Sequence, residues 1–248
     1  MLGPLAPLVW SLALLVALWW VSRQLAFFFV SVIYRLTRHE GAAASIYAIV
    51  ILPGTLVHET SHWLMAKLVG VRTGGFTVLP QMGPEGTLRL GAVDVRGGRL
   101  WQHTLIGLAP LLVCSLLTLL LANSLVDVGR FIALWQAGQW NQAFAILRSS
   151  LHQPDALLTV YLLFTVSDAM FLSASDRAPV KRMLLYLAVV LTVIFIITGF
   201  PALPASWSIT LQGAFSVYAV GLGIALLIHL TLMVFFGVFH YVLRTVGQ

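Results

Sequence analysis

Apolar segments that are long enough to cross a lipid bilayer recur along the whole chain, and they restrict its fold more than any other feature. About six of them are separated by shorter polar stretches: Leu5–Tyr34, Ala42–Leu68, Trp101–Leu121, Ala156–Phe171, Met183–Phe200 and Ala214–Val242. A helix needs roughly 20 apolar residues to span the hydrocarbon core. The sequence therefore predicts an all-α polytopic membrane protein with about six transmembrane helices, in which the first segment forms either one long helix or two.

The composition excludes several other classes of protein. Hydrophobic residues make up 60% of the chain and charged residues 9%, whereas soluble domains have about 45–50% and about 25%. A single cysteine excludes a disulfide scaffold. The net charge of +6 needs no nucleic acid, because membrane proteins collect Lys and Arg beside their spans. We expect residues 1–248 to form a single transmembrane domain whose partner is the lipid bilayer, with no nucleic-acid partner.

A stretch between the second and third spans breaks the helical pattern. Phe76–Leu79 and Thr87–Val95 have the alternation of short strands, and they flank the turn sequence Gly83-Pro84-Glu85-Gly86. Turn residues of this kind between two strand-like runs favour a β-hairpin. We therefore expect a small β-hairpin between the second and third spans.

The basic residues predict an orientation. If the C-terminal end of the second span faces the cytoplasm, then nine of the fourteen Lys and Arg residues lie inside. These are Lys67, Arg72, Arg89, Arg96, Arg99, Arg177, Lys181, Arg182 and Arg244. Cytoplasmic loops are enriched in Lys and Arg. The count predicts a multi-pass protein of a prokaryotic cytoplasmic membrane, with both termini in the cytoplasm.

The second span contains a pattern of ionisable residues that is typical of zinc hydrolases. His58, Glu59 and His62 form H-E-x-x-H, in which histidines at i and i+4 share one helix face and can bind one zinc ion. The glutamate beside them can take a proton from a water bound to the metal. Burying these groups in an apolar helix is costly, so a functional role is the default interpretation. The alternative is a polar patch that neighbouring helices satisfy. Pro53, just before the motif, predicts a kink.

A catalytic zinc site needs a third protein ligand. Among the eight acidic residues, Asp168 and Asp176 lie at the end of the fourth span that the topology places on the side of His58 and His62. The residues alone leave both as candidates. His103 opens the third span on the same side, where it can act around the site or simply be an interfacial histidine.

These motifs resemble the site-2 protease family of intramembrane zinc metalloproteases. That family carries H-E-x-x-H on one helix and an aspartate in N-x-x-P-x-x-x-L-D-G on a later one. Over Ser167–Arg177, Asp168 falls on the family Asn and Asp176 on the family Asp. The resemblance covers about residues 42–182, the metalloprotease-like core, and leaves out the extra spans in 1–41 and 183–248.

The resemblance implies a fold, an activity and a partner. It implies a zinc-dependent intramembrane endopeptidase in which His58, His62 and Asp176 bind zinc and Glu59 is catalytic. Asp168 and His103 would help to hold substrate or support the site. The substrate would be a transmembrane protein or peptide, held in extended form by the hairpin. The oligomeric state is left open.

Two other functions fit the same sequence. One is a non-catalytic relative that acts as a subunit of a larger membrane complex, because the residues around Asp176 depart from the family pattern. The other is a transporter or channel subunit that uses His58, Glu59 and Asp168 as a path for protons or metal ions.

Overall fold

The computed structural model describes residues 6–77, 81–82, 88–89, 92–171, 173–198 and 205–246, and most of them are helical. The helices in these ranges are α1 Ala6–Thr37, α2 Glu40–Val50, α3 Leu52–Leu68, α4 Leu100–Leu125, α5 Val128–Gln136, α6 Trp140–Ser150, α7 Ala156–Asp168, α8 Ala174–Thr198 and α9 Ala205–Val246. The prediction of a helical protein with a small hairpin is confirmed. The first apolar segment forms one continuous helix, α1.

The described residues contain fewer candidate membrane spans than the sequence predicts. Within the described residues, α1, α4 and Ile209–Thr245 of α9 are long and apolar enough to cross a membrane, and the bent pair α2 and α3 raises the number to four. Six spans are therefore not supported. The fourth predicted segment forms α7, whose 13 residues are about 20 Å long, against a hydrocarbon core of about 30 Å. The fifth corresponds to α8, but its predicted end at Phe200 lies outside the described residues.

The second predicted span is a helix pair with a sharp bend. Helix α2 ends at Val50, α3 begins at Leu52, and their axes differ by 71°. Pro53 lies in the first turn of α3, where a missing N–H costs nothing because no carbonyl within the helix could accept from it. The predicted kink is thus confirmed, and it sets the direction in which α3 leaves α2.

The predicted hairpin is present and begins earlier than expected. Strand β1 (Arg72–Thr77) pairs antiparallel with β4 (Ala92–Arg96), and β2 (Gln81–Met82) pairs with β3 (Leu88–Arg89). The predicted turn at residues 83–86 lies outside the described residues, as do residues 78, 79, 87, 90 and 91 of the predicted strands. Both outer edges of the β1–β4 pair are unpaired within the described part of the chain.

Helices α1 and α9 lie side by side and run in the same direction. Near their beginnings, the Ser11 hydroxyl donates to the Phe215 carbonyl at 3.1 Å. Near their ends, the Phe28 and His240 rings lie 5.7 Å apart. Helix α4 shares this direction: Ser115 hydrogen-bonds to Tyr218 of α9 at 3.0 Å, and further along both helices Leu125 packs in one cluster with Ile228.

Helices α3 and α7 run antiparallel to α4. The chain turns back once between α3 and α4 and again between α4 and α7, at opposite ends of the bundle. At the hairpin end, α3 finishes at Leu68 and α4 starts at Leu100. At the linker end, α4 finishes at Leu125 and α7 starts at Ala156, with α5 and α6 between them. Cys114 accordingly packs near the end of α7, beside Met170, whereas Leu125 packs near its beginning.

The parallel packing changes the predicted topology. Because α1 and α9 point the same way, Arg35 of α1 and Arg244 of α9 line the same cavity, although the charge count placed them on opposite sides. Helix α1 begins toward the hairpin end and α9 finishes toward the linker end. Parallel helices place the start of one and the finish of the other at opposite ends of the bundle, so the expectation that both termini lie on one side is not supported.

Candidate metal centre

Two histidines on one face of α3 direct the same ring nitrogen toward one point. The Nε2 atoms of His58 and His62 lie 3.1 Å apart. Each ring donates from Nδ1 to a backbone carbonyl, His58 to Ala169 at 2.6 Å and His62 to Ile106 at 2.8 Å. Because a carbonyl can only accept, Nδ1 carries the proton in both rings and the Nε2 lone pairs face each other. Metal-binding histidines are oriented by hydrogen bonds of this kind.

A carboxylate from α8 completes the group. Oδ1 of Asp176 lies 3.4 Å from Nε2 of His62, and Oδ2 lies 3.8 Å from Nε2 of His58. One ligand atom from each of the three residues falls within 4.8 Å of the other two. Two lone pairs and a carboxylate at these distances repel one another unless a cation, either a proton or a metal ion, lies among them. The three side chains can hold a metal ion.

The distances between the ligand atoms can be compared with those around a known ion. Tetrahedral zinc with bonds of 2.0–2.1 Å keeps its ligand atoms ~3.3 Å apart. The measured 3.1 and 3.4 Å are close to that value, and 3.8 Å is somewhat longer. The side chains are 8–14% exposed, so the group is largely shielded but still reachable by water. The donor set fits zinc.

Asp176 reaches the histidines because the chain reverses between α7 and α8. The Ser173 N–H donates to Oδ2 of Asp176 at 2.9 Å, and the Asp176 N–H donates to the Ser173 hydroxyl at 3.3 Å. This reciprocal pair is a capping box, which starts a helix and fixes the carboxylate. Burial raises the pKa of the Asp176 carboxyl, but a proton held at Nε2 of His62 and the hydrogen bonding of Ser173 lower it to about 2. Asp176 is therefore ionised at neutral pH.

Two glycines allow the helices to approach closely enough to form the centre. A Cβ on Gly54 of α3 would overlap the Thr165 carbonyl of α7, and a Cβ on Gly107 of α4 would lie 2.9 Å from the Asp176 carbonyl oxygen. Real Cβ atoms essentially never come that close to other atoms. The Gly54 contact brings the Ala169 carbonyl to His58, and the Gly107 contact brings the first turn of α8 to His62.

Glu59 lies beside the group without belonging to it. The residue is 8% exposed and follows His58 directly in α3. It interacts electrostatically with His62 and Asp176, but it is not one of the three residues whose ligand atoms converge. A carboxylate that lies beside a metal site without binding the ion is placed as a general base would be.

The other two sequence candidates lie elsewhere. Asp168 does not join the three converging side chains. Its Oδ1 lies 3.6 Å from Nε2 of His229, and its Oδ2 accepts from the Tyr47 hydroxyl at 3.5 Å. His103 lies in the first turn of α4 and is not among the converging residues either. Of the two aspartates that the residues left open, the geometry brings only Asp176 to the histidines.

Several residues that build this region carry only a weak signal in the sequence. His229 and Tyr47 come from distant parts of the chain, and the only signal was an ionisable residue within each apolar helix. The capping role of Ser173 was readable as S-x-x-D directly after an apolar run. Gly54 carried no signal beyond its identity, because its role depends on which helix lies against it.

Comparison of the chain with protein-family models, with curated proteins and with solved structures found no match. A functional assignment therefore depends on the chemistry of the converging residues.

Proposed function

We propose that this chain is a zinc-dependent intramembrane endopeptidase, similar to the site-2 proteases, that cleaves membrane-embedded peptide segments. The observation that carries the proposal is the convergence of His58, His62 and Asp176 with Glu59 beside them, within apolar helices. Two imidazoles and one carboxylate leave a fourth tetrahedral position free, which is the ligand set of catalytic rather than structural zinc.

Each residue has a distinct part in hydrolysis. Bound zinc would polarise the scissile carbonyl and make a water molecule more acidic. Glu59 accepts a proton from the water while the water oxygen bonds to the carbonyl carbon. Glu59 then passes that proton to the amine nitrogen as the C–N bond breaks. The carbonyls of Ala169 and Ile106 keep the two imidazoles in a fixed tautomer and orientation.

The position of the centre suits a substrate that enters from the hairpin end. Ile106, whose carbonyl orients His62, lies six residues from the start of α4 at Leu100, or about 9 Å along the axis. The open edges of β1 and β4 lie at that end. A transmembrane peptide that unwinds there could add a strand to the sheet and present its backbone to the centre.

The basic residues support a cytoplasmic location for the hairpin end. Because Arg244 lies at the opposite end, eight of the fourteen Lys and Arg residues remain on the hairpin side. Five are on the linker side and Arg23 is within α1. By the positive-inside rule, the chain is a multi-pass protein that cleaves near the cytoplasmic face.

The test is a Glu59→Gln variant of the full chain, purified in detergent and assayed for metal and for cleavage of a set of transmembrane peptides. We expect Glu59→Gln to keep its zinc and its fold while cleavage falls by about 10²- to 10⁴-fold. Glu40→Gln, at the start of α2, is the matched control and should cleave normally.

Two outcomes would contradict the proposal. Cleavage by Glu59→Gln at the wild-type rate would show that Glu59 is not the base. A wild-type protein that binds zinc but cleaves no peptide would favour the non-catalytic subunit. The transporter alternative is weakened because Asp168 belongs to a separate group with Tyr47 and His229 rather than to a path with His58 and Glu59.

A further inference from the structure

A cavity of about 530 Å³ lies between the ends of α1 and α9, far from the metal centre. Three arginines line it: Arg35 and Arg38 from α1 and the segment after it, and Arg244 from the last turn of α9. His240 lies among them. Parallel packing of the two helices thus gathers four basic side chains around one space.

No acidic side chain in the described ranges neutralises the positive charges in this cavity. Within the described residues, none of the three guanidinium groups has an acidic partner within 4.0 Å or a side-chain hydrogen bond. Nδ1 of His240 is buried and also has no hydrogen-bond partner. Holding like charges together costs free energy, so an anion in the cavity would stabilise this arrangement.

Arg38 occupies a backbone conformation that is unfavourable for an arginine. Arg38 has φ of 55°, and it is the only residue other than glycine with a positive φ in the described part of the chain. Its N–H donates to the Tyr34 carbonyl at 2.7 Å and so ends α1. Glycine or asparagine is usual at such a position, and a strained residue is a reason to look for a function. Here the residue in the strained position is an arginine that lines the cavity.

The cavity has an apolar side as well as a basic one. Phe27 and Leu243 line it together with the arginines, and Phe27 is 59% exposed. The site lies where two apolar helices end, which is where a bilayer meets water. Its walls therefore match a molecule that has an anionic head and an apolar tail.

We propose that this cavity binds a phosphate group, presented by the headgroup of an anionic phospholipid whose acyl chain lies against Phe27. The planar guanidinium groups of Arg35, Arg38 and Arg244 donate to the phosphate oxygens, as arginine does in bidentate pairs. The hydroxyls of Ser31 and Tyr34, which also line the cavity, supply further donors. The proposal is independent of the function of the metal centre.

The test measures lipid binding to the full chain in a non-ionic detergent by native mass spectrometry. Phosphatidylglycerol and phosphatidylcholine with the same acyl chains are titrated into the wild type, into R35Q/R244Q, and into R130Q/R148Q. The last variant is the matched control, because it removes the same two positive charges from the exposed α5 and α6 at the same end.

We expect one phosphatidylglycerol to bind the wild type and R130Q/R148Q with the same affinity, and R35Q/R244Q to bind it about 30-fold more weakly. Phosphatidylcholine should bind all three weakly. A parallel titration with inorganic phosphate separates the two sources of the group. Displacement of the lipid by millimolar phosphate would support the phosphate site but assign it to a soluble ligand.

Two results would overturn the proposal. One is equal binding of phosphatidylglycerol by R35Q/R244Q and the wild type. The other is an equal loss of affinity in R130Q/R148Q, which would show that general charge rather than this cavity attracts the lipid. If R35Q/R244Q does not fold, R244Q alone replaces it, because Arg244 is exposed in the last turn of α9.

Discussion

Nε2 of His229 lies 3.6 Å from Oδ1 of Asp168, and the two residues join α9 to the end of α7 in the interior of the helix bundle. His229 is fully buried, and its Nδ1 donates to the Ala225 carbonyl. Asp168 directly precedes Ala169, whose carbonyl orients His58. The contact therefore lies next to the residue whose carbonyl orients His58.

We expect His229→Ala to destabilise the protein by about 3–5 kcal/mol, because it removes a fully buried ring that packs against Phe164 and leaves a cavity in its place. The unfolding free energy in detergent would show this. Asp168→Asn should lower the free energy of unfolding by less in the His229→Ala background than in the wild type, since the two residues act as a pair. His152→Ala, on the exposed linker, is the control. Additive losses in the double variant would contradict the pairing.

Removal of a ligand carboxylate distinguishes the two aspartates. Asp176→Asn should lower zinc affinity by roughly 100-fold or more, since loss of an outer partner alone typically costs 10–100-fold. Asp168→Asn should keep near-stoichiometric zinc in the folded fraction, because Asp168 does not reach the histidines. Zinc content of the purified variants, measured by mass spectrometry and competition with a chelator, tests this. The reverse order would move the third ligand to Asp168.

The glycine between α3 and α7 provides a test of helix packing. Gly54→Ala should destabilise the fold by at least about 3 kcal/mol, the upper part of the range for overpacked sites, because its Cβ would overlap the Thr165 carbonyl. Zinc affinity should fall too, as the Ala169 carbonyl moves from His58. Gly223→Ala in α9, where a Cβ meets no atom within 4 Å, should be neutral. A stable, zinc-loaded Gly54→Ala protein would show that α3 and α7 are not in contact.

The direction of α9 can be tested with topology reporters. A reporter at Gly98 should report the cytoplasm, whereas reporters at Gln139 and at the C-terminus should report the opposite side. The physical reason is the parallel packing of α1 and α9. A C-terminal reporter on the same side as Gly98 would restore the topology that the charge count predicts and would rule out parallel packing.

The local part of the site was predictable from the sequence, and the long-range part was not. His58 and His62 share a face because they are one turn apart, so their convergence follows from helix geometry alone. The position of Asp176 depends on the chain reversal between α7 and α8. A continuous helix would instead place Asp176 about 12 Å beyond Asp168 along its axis. The resemblance to a family pointed to Asp176, but the residues themselves did not.

The same distinction holds for the fold. Apolar length identified α1, α4 and α9 because it is a local property. It overestimated the spans at α7, because an apolar helix of 13 residues is shorter than the roughly 20 residues that a span needs. Charge counting assigned Arg35 and Arg244 to different sides, because it assumes that every apolar run crosses once.

The pairing of α1 with α9 also constrains the order of events during synthesis. The Ser11 hydroxyl and the Phe215 carbonyl that it contacts are separated by 204 residues. At the usual pace of translation, about 5–20 residues per second, the first helix waits roughly 10–40 s for its partner. Its partner-facing side chains Leu18 and Leu25 have to be covered by lipid or by an insertion factor during that interval.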